Sequence, residues 1–161
     1  MAKGSNRQLV EGVLKDNIFA NGLLSYPALA IGSSKPNVAS SAFMFVIGGV
    51  IYSKAAVSAG TAPGNDVIPQ SKYGACAFDI GINGTIDAIE APDNADPGYD
   101  SSALALAALP DPEEDHIRIG TVTATKSDGA FTFGTTNLDA ANSTVAYADS
   151  DVGISFSEFV G

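Results

Sequence analysis

The sequence predicts a mainly β protein: an antiparallel β-sandwich or jelly-roll/barrel-like domain, preceded by an N-terminal helix and an extended arm. From residue 43 onward, short runs rich in Val, Ile, Phe, Tyr and Thr are separated by clusters of Gly, Pro, Asn and Asp, the pattern of strands and turns in an all-β domain. Asn83-Gly84 stands between two alternating apolar runs, which is a strong hairpin signal. Helical periodicity is confined to the first twenty residues and one Ala/Leu stretch. Hydrophobic residues make up 45% of the 161 positions and charged residues 16%. A globular chain carries about 25% charged residues, so this one has the apolar surface to build the core of one domain.

Taken in order, Ser5 and Gln8 make a capping-box pattern, and Leu9, Val10, Val13, Leu14 and Ile18 recur at helical spacing. Glu11 and Lys15 form an i,i+4 pair, and Asn21-Gly22 supplies a stop. Residues 22–42 are rich in Gly, Pro, Ser and Ala without a period, which suits an extended arm. The chain is thereby divided into a helix and arm over 1–42 and a β-rich body over 43–161. FMFVIGGVIY (Phe43 to Tyr52) is the longest apolar run. It is too short for a bilayer core that needs about twenty residues, and it reads as one buried strand bulged or kinked at Gly48-Gly49.

After a breaker-rich stretch, Tyr73 to Ile82 and Ile86 to Glu90 form the hairpin. A two-residue loop sets Ile80 opposite Asp87. A three-residue loop ending at Thr85 puts Phe78, Ile80 and Ile82 on one face with Ile86 and Ala88, and is preferred, since a one-residue slip turns apolar residues outward. Pro92 to Asp100 is an acidic turn. SSALALAALP is a short helix capped by Asp100 or Ser101 and ended by Pro110. His116 to Lys126 is a strand, Ser127-Asp-Gly129 turns the chain into Ala130 to Phe133, and Thr144 to Tyr147 and Ile154 to Val160 close the series.

Eighteen acidic against eight basic residues give a net charge of −10. Binding along phosphates or an anionic lipid surface needs a surplus of Lys and Arg, so nucleic acid and membrane are excluded as partners. The charge is uneven: residues 1–60 hold five basic and two acidic groups, and residues 61–161 hold three basic and sixteen acidic. This division reads either as a basic arm docking on an acidic partner or as ordinary solvated surface. The helix over 5–19, with Lys3, Arg7, Leu9, Val10, Val13, Leu14, Lys15 and Ile18, is the leading contact element; the alternative is a cap over the chain's own β body.

Chemistry-bearing residues are sparse. Cys76 stands alone among apolar neighbours and reads as a buried core thiol. No secretory pattern precedes the body, so folding in a reducing cytoplasm is expected. His116 reads as a surface residue partly paired with Asp115 or Glu114. Nucleophile, phosphate-loop and dinucleotide motifs are absent, and one Cys with one His is short of a zinc set. The group Asp93, Asp96, Asp100 lacks the order of a calcium loop, and the group Asp111, Glu113, Glu114, Asp115 is broken by Pro112. No enzyme activity, metal or cofactor is therefore expected. Tyr52, Tyr73, Tyr99 and Tyr147 read as a recognition face or as half-buried packing.

The run AFMFVIGGVIYSKAAV, the Gly-rich hairpin, and the stretch ALPDPEEDHIRIGTVTATKSDGAFTFGTTNLDAANSTVAYAD together resemble small virion proteins of tailed bacteriophages, over roughly residues 43 to 150. The resemblance implies a noncatalytic decoration or cement protein added to the capsid lattice. It would bridge neighbouring major capsid protein subunits on the virion surface as a homo-oligomer, commonly a trimer, after synthesis in the host cytoplasm. A head-fibre or tail module that recognises the host is the alternative.

Overall fold

In a computed structural model the described residues are 21–153. The expected helix with its contact residues Lys3, Arg7, Leu9, Val10, Val13, Leu14, Lys15 and Ile18 lies outside them, as does the expected strand Ile154 to Val160. The described chain is mainly β with antiparallel sheets. Its strands are β1 (Gly22–Leu23), β2 (Ala30–Ile31), β3 (Val38–Ser40), β4 (Phe43–Ile47), β5 (Val50–Lys54), β6 (Val57–Thr61), β7 (Val67–Ile68), β8 (Tyr73–Gly81), β9 (Ile86–Glu90), β10 (His116–Lys126), β11 (Phe131–Thr132) and β12 (Ser143–Asp149), with one helix, α1 (Ser102–Ala107). The sheets run β12-β10-β8-β9, β1-β4-β5, β2-β3-β6 and β11-β7.

The four-stranded sheet separates two environments because its strands alternate. Cys76, Phe78 and Ile80 of β8 and Val122 and Ala124 of β10 point into the main core, where they meet Leu23, Phe43, Phe45 and Ile47 of the β1-β4-β5 sheet together with Ile68, Phe131 and Phe133. On the opposite face Ala75 packs with Ala91 and with Ala105 of α1. α1 begins where Ser101 accepts a hydrogen bond from the Leu104 amide at 3.3 Å, and of the two expected caps it is Ser101 that serves. In β10 the core residues are Ile117 and Ile119 before Gly120, then Val122 and Ala124 after it. The register shift between Arg118 and Gly120 supplies that change of phase.

Three expectations are corrected. Residues 22–42 are not set apart from the body: they supply β1 to β3, and Leu23 and Val38 are core residues at 1% and 3% exposure. Strands of two or three residues are too short to display an alternation, so only isolated apolar residues marked them. FMFVIGGVIY is not one kinked strand but the hairpin β4–β5, closed by the Ile47–Val50 pair. Gly48 and Gly49 both have positive φ, 58° and 77°, as a two-residue hairpin turn of type I′ requires. The β8–β9 hairpin keeps the expected faces but pairs Ile80 with Ile86 and Phe78 with Ala88. Its three-residue loop is Ile82-Asn83-Gly84, between Gly81 and Thr85, whose backbone groups bond at 3.3 Å. The Asn83 side chain accepts from the Thr85 amide at 2.8 Å, which fixes the turn one residue early and leaves Ile82 half exposed.

Candidate functional site

Two surfaces concentrate chemistry that packing alone does not require. The first is a charged pocket on the α1 side of the four-stranded sheet. Asp79 of β8 is opposite Asp87 of β9 and opposite Arg118 of β10, so three charged residues form a row across the strands. Like charges placed directly opposite repel, and each carboxylate has its own counter-group. Arg118 donates through Nε and Nη2 to the two oxygens of Asp79 at 3.0 and 3.3 Å and through Nη2 to the Pro110 carbonyl at 2.5 Å. His116 Nε2 lies 3.5 Å from Asp87, and its Nδ1 is 3.1 Å from the Glu114 carbonyl.

The expected pairing of His116 with the side chain of Glu114 or Asp115 is thus replaced by Asp87. A strand pairing carries the imidazole over Gly81, where a Cβ would come within 2.6 Å of the ring. Asp79, Asp87, Ala88, Ile89, Glu113 and His116 enclose about 290 Å³. The lining has carboxylates and an imidazole but no hydroxyl, thiol or amine, so it is equipped to hold a cationic group or a proton.

The second surface is the β4–β5 hairpin. One of its faces is anchored: Phe45 stacks on Tyr52 at 5.3 Å and lies 5.9 Å from Phe43. The turn is tied by Asn21, whose side chain accepts from the Gly48 amide at 2.7 Å, and the far end by Lys54, which donates to the Gly84 carbonyl at 2.7 Å. On the other face Met44 and Ile51 are 45 and 58% exposed, and Val50, beside the turn on the anchored face, is 52% exposed; β5 is the edge of its sheet. Clustered apolar side chains on a free sheet edge are a recognised signature of an interaction surface.

The remaining expectations divide. The four tyrosines do not gather into one face. Tyr52 and Tyr147 pack against the main core, whereas Tyr73 and Tyr99 bridge one another beside the alanine cluster. Cys76 is fully buried, and burial first, then the nearby Glu90 charge, pushes its thiol far above its ordinary pKa, which makes it inert. The described residues carry five basic groups against fifteen acidic ones. All five bases are engaged: Lys35 with Asp139, Lys72 with Asp100, Lys126 with Asp128, Arg118 with Asp79, and Lys54 with the Gly84 carbonyl. Lys35 and Lys54 therefore form no separate basic face. The sequence pattern singles out neither Asp79 nor Arg118, and Asp87 only as a hairpin register position, although a charged residue inside the apolar run Ala77-Phe-Asp-Ile80 signals a buried partner. No family model, curated protein or solved structure matches the chain.

Proposed function

We propose that the protein is a noncatalytic structural component of a phage virion that decorates and stabilises a capsid by bridging neighbouring major capsid protein subunits. The observation that carries this reading is the β4–β5 hairpin. The Gly49-Val50-x-Tyr52-Ser53-Lys54 segment, part of the resemblance to phage virion proteins, forms an exposed edge strand whose apolar residues Val50 and Ile51 face solvent on a rigid base. A cement protein gains from such a surface because apolar area buried across a subunit junction stabilises only the assembled shell. The acidic surplus of the body suits the outward side, and residues 1–20 supply a second contact element with Lys3, Arg7 and Lys15.

The test is addition of the purified protein to capsids that lack it. Wild-type protein is expected to co-sediment with the shells and to raise their melting temperature. Ile51→Lys, at an exposed site where substitutions cost within about 0.5 kcal/mol of stability, should weaken binding at least tenfold while the protein stays folded. Truncation must stop at residue 20, because residues 22–40 are woven into the sheets, and this truncated body should also bind more weakly. No affinity for capsids together with binding to bacterial cells or surface glycans would overturn the reading in favour of a host-recognition module.

A further inference from the structure

Among the described residues the longest free edge lies elsewhere, at β12, and it has a register built into it. β12 runs seven residues and ends the four-stranded sheet with β10 as its only partner among the described residues. The Ser127 amide donates to the Asn142 carbonyl and the Ser150 amide to the Ile119 carbonyl, so even-numbered positions turn their backbone groups toward β10. Antiparallel alternation then points the N–H and C=O groups of Val145 and Tyr147 away from the sheet. Among the described residues none of these four groups has a partner.

Lys, Pro and a bulge, which commonly blunt an edge, are absent from the strand itself. Ser143–Asp149 contains neither Lys nor Pro, and its pairing with β10 continues from Gly120 to Lys126 without a bulge. Side chains on the α1 side of the strand are Thr144, Ala146 and Ala148, small and exposed, so a second strand approaches without obstruction.

We propose that two copies of this chain associate through antiparallel β12–β12 pairing about a two-fold axis at Ala146. In that register Val145 of each copy exchanges both backbone hydrogen bonds with Tyr147 of the other, which satisfies all the free groups at once. The charge pattern selects the same arrangement. Asp149 is the strand's single charge and lies at its end, held by the Leu29 amide at 2.9 Å. Antiparallel self-pairing places it opposite Ser143 and keeps the two carboxylates about 20 Å apart at roughly 3.4 Å per residue, about two screening lengths at physiological salt. Parallel pairing in register would set them side by side. The product is one continuous eight-stranded sheet. It is two-fold, unlike the trimer that the family resemblance implies, and it does not depend on the capsid reading.

The experiment is sedimentation of the 161-residue protein at micromolar concentration with three variants at one position. The wild type should run at twice its 16.3 kDa mass, with association strengthened by salt because each copy carries −10. Ala146→Lys and Ala146→Glu each place like charges directly across the axis and should run as monomers, whereas an equimolar mixture of the two should recover the dimer. Ala146→Cys sits in a non-hydrogen-bonded pair, with Cα atoms about 4.5 Å apart, and should give a disulfide-linked dimer on mild oxidation, since the native Cys76 is buried. A monomeric or trimeric wild type overturns the proposal. So does an Ala146→Lys protein of wild-type mass, or a charge-paired mixture that stays monomeric. If a charged variant fails to fold, the cysteine cross-link decides.

Discussion

Replacing Arg118 with alanine strands the carboxylate of Asp79, and the resulting loss can be bounded from the structure. The Asp79 side chain is 4% exposed and that of Arg118 21%, so the pair is shielded from solvent. Asp79 takes both of its charged hydrogen bonds from this one guanidinium, and Asp87 is opposite it on the next strand. Removing one partner of a buried pair costs about 3 to 5 kcal/mol, because the other charge stays buried without compensation. Against a total stability of about 5 to 15 kcal/mol, that is a large share, and at roughly 4 °C per kcal/mol it lowers the melting temperature by about 10 to 20 °C.

The assay is urea unfolding at neutral pH. The deficit of Arg118→Ala relative to wild type should appear as a lower urea midpoint with an unchanged slope. Replacing both residues with apolar ones of similar volume, Asp79→Leu with Arg118→Met, should recover most of the loss. A deficit below about 1 kcal/mol, or a double replacement that recovers none of the loss, would refute the account of Asp79 as a buried charge held by a single partner.

Asn94→Ala should cost about 2 to 4 kcal/mol in the same assay. The side chain is fully buried and bonds the Ala75 amide and carbonyl at 2.9 Å each; the carbonyl keeps the Ala91 amide as a donor, but the amide is left without an acceptor. Gly48→Ala tests conformation alone, since a Cβ there meets nothing within 4 Å while φ is +58°; about 1 to 2 kcal/mol should be lost, read as a lower melting temperature. Glu90 accepts from the Asn65 and Asp66 amides at 3.1 and 2.8 Å, yet burial raises its pKa above the ordinary value by more than these bonds lower it. The folded state thus holds its proton more tightly than the unfolded one. Its contribution is greatest below the unfolded pKa and declines as pH rises through the folded pKa. Glu90→Gln keeps an acceptor without a charge, so its unfolding free energy should gain on wild type over that rise; parallel pH profiles would contradict the assignment.

What the sequence displayed depended on element length. β10 was legible to its end residues because eleven positions give alternation room to show, and even its phase change at Gly120 is visible in the order of branched residues. α1 was legible from its cap and its proline stop. β1, β2 and β7, of two residues each, offer no period at all; their pairing is set by the strands they lie against. Gly48-Gly49 was ambiguous for another reason: paired glycines suit a bulge and a hairpin turn equally, and only the cross-strand partners of Phe45 and Tyr52 decide. The charged pocket was half legible. His116 was visible as the chain's single histidine, but its partner Asp87 comes from a strand 29 positions earlier, and that contact exists only once β8 lies between β9 and β10.

The central strand β8 has one further implication, for how the protein tolerates change. Gly74, Ala75, Cys76 and Ala77 are all buried, and a Cβ at Gly74 would fall 2.3 Å from Ile68 and 3.0 Å from Asn94. On the helix side Ala75 packs against Ala91 and Ala105, so small side chains set that contact, and on the other face Gly74 leaves room for Ile68. A substitution scan should therefore find this stretch governed by volume instead of polarity. Leucine at Ala75 should be rejected as firmly as a polar residue, while serine, close to it in size, survives better than either.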